Sequence, residues 1–123
     1  MDFSPPDPAL IAGDVKRALA EDVGAGDLTA GLLAPDARLQ TRVLCRDYAV
    51  LCGRPWFDET FRQLDEGIAV QWQLADGEVI QAGDEVCSLA GPARAILSGE
   101  RTALNFLQTL SGTATKTREY VDA

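Results

Sequence analysis

Residues 98–118 impose the first demand on any fold this chain can adopt. Ala103, Leu104, Phe106, Leu107, Leu110 and Ala114 recur at helical spacing and make one apolar face several turns long. Such a face is stable only against a matching apolar layer, so the rest of the chain has to supply one. Ser98 suits an N-cap, because its hydroxyl can accept from a first-turn amide that lacks an intrahelical partner. Glu100 follows in the first turn, where negative charge suits the positive end of the helix dipole. On a wheel of about 100° per residue, Arg101 falls at the edge of the apolar face beside Asn105 and Gln108. Glu100 falls inside the apolar arc and needs a partner there. A guanidinium next to a helix N-terminus and a polar amide edge reads as an anion site. An exposed Arg101 paired with Glu100 or a carbonyl is the plain alternative.

The layer that covers this helix is predicted from the residues before it. Asp7-Pro8 opens a helix at favoured positions, with Leu10, Ile11, Val15, Ala18 and Leu19 on one face, fading by Asp22. Gly24 and Gly26 then read as a helix stop and a turn. Leu39, Thr41, Val43 and Cys45 alternate with Gln40, Arg42, Leu44 and Arg46, the pattern of a half-exposed strand. Tyr48 to Cys52 is a short apolar run that could pair beside it. Pro55 starts a second helix, with Asp58 and Glu59 in its first turn and Trp56, Phe57, Thr60, Phe61 and Leu64 on one side. That aromatic face reads as core in preference to a binding surface. Ile68 to Leu74, Val79-Ile80 and Val86 to Ala90 are short strands separated by Asp76-Gly77 and Gly83-Asp84 turns, and Gly91-Pro92 breaks the last of them. Short strands between helices indicate an α+β domain.

Charge and residue usage remove whole classes of function. Eleven Lys and Arg stand against 19 Asp and Glu, a net charge of −8, which argues against nucleic acid and anionic membranes as partners. The chain has no histidine, so the usual general base, the usual zinc ligand and both common triads are missing. Cys45, Cys52 and Cys87 lack metal-ligand spacing and read as buried cytosolic thiols. The start carries no signal-peptide pattern and no run approaches a membrane span, so a soluble, cytoplasmic protein is expected.

Two local motifs invite a ligand and fail on chemistry. Glu21 to Thr29 has the glycines of a phosphate loop, but no third glycine in register and no Lys-Ser/Thr pair, so a structural turn is the better reading. Asp76 to Val86 resembles the hammerhead and barrel-sandwich turns of lipoyl and biotinyl carriers. Those display a modified lysine at a hairpin tip, whereas Lys16 and Lys116 both fall in predicted helices.

Taken together, several stretches resemble one family. Ala18-Leu19-Ala20-Glu21-Asp22-Val23-Gly24-Ala25-Gly26-Asp27-Leu28-Thr29 is similar to the opening motif of quinolinate phosphoribosyltransferases, the carboxylating nicotinate-nucleotide pyrophosphorylases. Gly99 through Tyr120 resembles their signature helix more closely still, with Thr113 where the family usually has Ile. Arg46 to Gly53 and Gly91-Pro92-Ala93-Arg94 also fit.

The resemblance implies an α/β-hammerhead N-terminal domain over residues 1–112, with 113–123 the helical start of a connection to an α/β barrel that this chain lacks. The uncapped helical pattern at Tyr120-Val121-Asp122-Ala123 leads to the same expectation, that the polypeptide continues. The family transfers phosphoribosyl from phosphoribosyl pyrophosphate to quinolinate, releasing pyrophosphate and carbon dioxide and giving nicotinate mononucleotide for NAD synthesis. Magnesium accompanies the pyrophosphate, and homodimers or multiples of them place one subunit's N-terminal domain over the other's barrel. By this resemblance Arg101 is the substrate-binding residue, reaching quinolinate in the partner subunit, and the chain carries no catalytic or metal residue of its own. Alone it would be inactive. A paralogous pyrophosphorylase of molybdenum-transport operons and a non-catalytic, barrel-sandwich-like interaction module are the competing readings.

Overall fold

The computed structural model describes the backbone of residues 6–30 and 32–122 and the side chains of residues 6–22 and 32–116. The chain runs α1 (Pro8–Ala30), β1 (Arg38–Leu44), β2 (Ala49–Val50), α2 (Arg54–Leu64), β3 (Ala69–Trp72), β4 (Val79–Ile80), β5 (Glu85–Pro92) and α3 (Ala93–Asp122). β5 is the centre of a three-stranded antiparallel sheet of order β1-β5-β3, while β2 and β4 form a separate two-residue ribbon. Thr41 and Val70 both sit opposite Leu89 of β5, so one register row crosses all three strands.

The core lies between this sheet and two helices. Phe57 and Phe61 of α2 and Ile96, Ala103 and Leu107 of α3 pack on Val86, Cys87 and Leu89 of β5. Phe57 meets Phe61 and Trp72 edge-on, at centroid distances of 5.2 and 5.1 Å. α1 lies on the outside of α2 and α3, with Ile11, Val15 and Leu19 closing over Trp56, Leu64 and Phe106. Leu10 does not join that face; it is 63% exposed.

Helix ends follow local chemistry. Asp7 caps α1 through its carboxylate, which accepts from Ala9 N at 2.8 Å, with Pro8 as the first helical residue. The N-terminus of α2 is capped from a distance: Asp76 accepts from Gly53 N and Arg54 N, both at 3.3 Å. Asp58 and Glu59 lie past the first turn of α2. Asp58 instead accepts the Trp72 indole N–H at 2.8 Å.

Of the three cysteines expected to be buried only Cys87 is, while Cys45 and Cys52 are half-buried. Beyond these two, Leu10 and the Asp58-Glu59 pair, four further readings of the sequence are corrected. The backbone of α1 stays helical through Gly24 and Gly26 to Ala30. α1 is fastened to α3 just before those glycines, where the Thr102 hydroxyl donates to Asp22 Oδ2 at 2.9 Å, and tertiary packing overrides their weak helix propensity. The side chains of the Val23 to Thr29 motif lie outside the described residues. β2 pairs with β4 and not with β1. Gly91-Pro92 does not break β5 but completes it, Leu39 facing Gly91 and Arg38 facing Pro92. A Cβ on Gly91, at φ 154°, would lie 2.9 Å from Ile68 Cα, so only glycine lets the strand pass the turn before β3. Finally, α3 begins at Ala93, and Ser98 is inside it. Ala93-Arg94-Ala95-Ile96-Leu97 are competent helix formers, and Ala93 N is already satisfied by Ala37 O at 2.9 Å.

Candidate functional site on the exposed face of α3

α3 buries Ile96, Gly99, Thr102, Ala103, Leu107, Ser111 and Ala114, and so turns the opposite face outward. Arg101, Asn105, Gln108, Gly112 and Lys116 follow one another along that outward face, each exposed. Their spacing of three or four residues keeps them in a single line. Arg101 is therefore at the middle of the polar face and not at the edge of the apolar one. It also stands more than two turns inside α3, so the helix N-terminus expected beside it is not there to attract an anion.

Among the described residues Arg101 makes no ion pair and no hydrogen bond. Its pairing with Glu100 is not realised, since neighbouring helical residues do not face each other. Glu100 is exposed as well, without an ion pair among the described residues. It lies within the apolar arc but looks into an open groove where no element covers α3.

That groove, about 810 Å³, separates α3 from the segment joining β1 to β2. Leu104 and Leu107 form its floor and Tyr48 one wall, while Arg42, Arg46 and Lys116 stand on the rim. Asp47 and Glu100 line it too, and Arg42 stands 4.0 Å from Glu85, so the groove carries both signs of charge. The outward side of Arg42 and Arg46 is visible in the alternation of the sequence; their nearness to Lys116 depends on how α3 crosses the sheet. Arg94, by contrast, is structural: its guanidinium donates to Leu33 O, at 2.9 Å from Nε, and holds the loop before β1.

The perturbed groups sit elsewhere. Burial raises the Asp58 carboxyl against the opposing effects of the Trp72 hydrogen bond and Arg54. Burial pushes the Cys87 thiol up to about 12, helped by the Asp58 and Glu85 charges. Cys87 lies in the core and Asp58, half-buried, at its edge on α2, and neither faces Arg101's surface. Among the described residues no three His, Cys, Asp or Glu side chains converge as a metal site would require. What the outward face of α3 offers is an unpaired planar fork suited to a carboxylate.

Residues 27–111 match the sequence model of the quinolinate phosphoribosyl transferase N-terminal domain. The chain belongs to that family. The probable carboxylating nicotinate-nucleotide pyrophosphorylase of Bacillus subtilis is 38% identical over 101 residues, 82% of this chain and 35% of that protein. Its counterpart in Synechocystis is 38% identical over 105 residues, 85% of this chain and 36% of the relative. The solved nicotinate-nucleotide pyrophosphorylase of Francisella tularensis superposes on 99% of this chain and 43% of its own, with a TM-score of 0.92 at 35% identity. NadC of Streptococcus pyogenes gives 0.90 at 33% identity over 97% of this chain and 43% of its own. The mixed helix-and-strand domain is thus the quinolinate phosphoribosyl transferase N-terminal domain, and the chain spans about a third of the length of these curated relatives. No helix among the described residues is long and apolar enough to cross a membrane.

Proposed function

We propose that this chain is the N-terminal, dimer-forming and substrate-covering part of a cytoplasmic enzyme that transfers phosphoribosyl from phosphoribosyl pyrophosphate to quinolinate, with decarboxylation to nicotinate mononucleotide. Residues 1–112 are the domain and residues 113–123 the helical start of its connection to a barrel. The observation that carries the reading is Arg101, exposed and without a partner among the described residues, in the middle of the outward face of α3 in a chain of this family.

The chemistry assigns a narrow task to that residue. Quinolinate carries two carboxylates on its ring, and its ring nitrogen has to be held in line with the sugar carbon that pyrophosphate leaves. Arg101 clamps a carboxylate with two parallel N–H···O bonds and so fixes the ring's orientation, a service that needs no general base. Once the nitrogen is ribosylated, the cationic ring takes up the electrons released with carbon dioxide. Magnesium accompanies the pyrophosphate group, and no step through it falls to the described residues, which lack a converging donor set. The second substrate and the metal belong to the barrel of the partner subunit in a homodimer, and the 123-residue chain alone is inactive.

The test is Arg101→Lys in the full-length polypeptide. Losing one of two charge-assisted bonds raises the KM for quinolinate by about 10- to 100-fold, with a much smaller change for phosphoribosyl pyrophosphate. Equal losses for both substrates, or none, would remove Arg101 from the carboxylate role.

A further inference from the structure

α3 meets β2 through side-chain hydroxyls where another strand would ordinarily pair. Val50 N donates to Thr115 Oγ1 at 2.9 Å, and Cys52 N donates to Ser111 Oγ at 3.0 Å. Ser111 Oγ returns a bond to Cys52 O at 3.0 Å, while the Thr115 hydroxyl proton goes to Ser111 O at 2.7 Å. The amides between them point the other way, Leu51 N donating to Glu78 O at 2.9 Å beside β4. Residues two apart in a strand advance by about 6.6 Å and residues four apart in a helix by about 6 Å. The two spacings match, so a serine and a threonine one turn apart close the edge of an extended segment as an antiparallel neighbour would.

A second contact fixes the same crossing. A Cβ on Gly53, whose φ is 112°, would lie 3.1 Å from Leu110 Cδ1 and 3.5 Å from Phe106 O. Apolar burial of Ile96, Ala103 and Leu107 sets how deep α3 sits, but such contacts are non-directional. The hydroxyl bonds add direction at the far end of the helix, where Ala93 N, Arg94 and Thr102, which hold its first turns, do not reach.

We propose that Ser111 and Thr115 are positioning residues for Arg101: their ladder to Val50 and Cys52 fixes the setting of α3, and with it the place at which the guanidinium meets a substrate carboxylate. The proposal rests on Arg101 being a quinolinate ligand. Ser111 lies about 15 Å along the helix from Arg101, so a tilt of about 10° at the ladder displaces Arg101 by roughly 2.6 Å. A displacement of that size breaks the two parallel N–H···O bonds on which the fork's hold on a carboxylate depends.

The experiment uses the full-length polypeptide with Thr115→Val, which keeps the shape and removes the hydroxyl, Ser111→Ala, and Thr115→Ser, which keeps the hydroxyl. Thr115→Val and Ser111→Ala are expected to raise the quinolinate KM about fivefold to tenfold, with kcat and the phosphoribosyl pyrophosphate KM within about twofold. Thr115→Ser restores the native value. In an Arg101→Ala background Thr115→Val adds nothing to the quinolinate KM, and exchange of the Val50 amide accelerates in Thr115→Val whatever the activity. A native quinolinate KM in a Thr115→Val protein whose Val50 amide has lost protection overturns the proposal and leaves Arg101's role intact. So does a loss shared equally by both substrates or additive with Arg101→Ala. No change on Arg101→Ala alone overturns the substrate reading itself, and this proposal with it. If Ser111→Ala fails to fold, Thr115→Val carries the comparison.

Discussion

Two glycines on α3 should respond to the same substitution with opposite signs. Gly→Ala inside a helix gains about 0.8–1 kcal/mol from propensity and from the narrower unfolded ensemble. At Gly112 nothing lies within 4 Å of an added Cβ, so that gain is unopposed. At Gly99 the Cβ would fall 2.5 Å from Leu64 Cδ1 and 3.1 and 3.3 Å from Phe61 Cε1 and Cδ1. Leu64 is half-buried and can turn its methyl aside, but Phe61 is fully buried and wedged against Phe57. Separating α2 from α3 by the needed distance, about 1 Å, costs roughly 2–3 kcal/mol of overpacking, which exceeds the propensity gain by about 1–2 kcal/mol. A chain of 123 residues unfolds with an entropy near 260 cal/mol/K, so each kcal/mol moves Tm by about 4 °C. Thermal unfolding followed by circular dichroism should therefore place Gly112→Ala about 3–4 °C above the parent and Gly99→Ala about 4–8 °C below it. A rise for both variants would refute the claim that α2 and α3 touch through Gly99.

Other consequences follow from the core and the caps. Cys87, with its thiol pushed up to about 12, should be the last of the three cysteines to react with a thiol reagent at pH 8, and only on unfolding; equal rates in the native protein would contradict its burial. Because the Asp58 carboxyl is raised by burial, the folded state holds a proton that the unfolded state has released. Stability from this group is greatest below the ordinary aspartate value near 3.9 and declines as pH rises toward the folded value. Asp58→Asn should flatten that decline in urea titrations between pH 4 and 7, and an unchanged slope would count against it. Asp76→Ala removes the remote cap of α2 and should cost about 1–2 kcal/mol in the same titrations, where no loss would show that Gly53 N and Arg54 N find other acceptors.

Much of the fold could be read from alternation and turn residues, and the failures share a physical origin. Val79-Ile80 was bounded by two Asp-Gly or Gly-Asp turns, and it is a strand over those two residues. β1 and β3 show the alternation expected of them, with Leu39, Val43, Val70 and Trp72 inward. A two-residue strand has too little pattern to name its partner, which is why β2 was placed beside β1. The start of α3 was misjudged because Gly91-Pro92 looks like a break when judged locally. Its real setting, a strand end squeezed past Ile68, is a tertiary fact. Glu100 was assigned a partner because a wheel assumes that the whole apolar arc is covered, whereas a groove leaves that part open. The substrate role proposed for Arg101 is not in the spacing; it comes from resemblance to a family.

If Arg101 holds a carboxylate as proposed, its exposure requires a second surface to complete the site. An ion pair in open water is worth at most about 1 kcal/mol, which corresponds to a dissociation constant of roughly 0.2 M. A dicarboxylate approaching this chain also meets a net charge of −8, so the overall field adds nothing in its favour. Charge-assisted bonds reach about 1.5–3 kcal/mol each when water is excluded, and exclusion requires a wall on the far side of the substrate. Neither the sheet nor α1 or α2 covers the outward face of α3 among the described residues. On the proposed function the wall brings cations of its own, because Arg101 supplies a single charge to a dicarboxylate. In the proposed role Arg101 orients a substrate held chiefly by another surface, and the setting of α3 on β2 would determine where that orientation is applied.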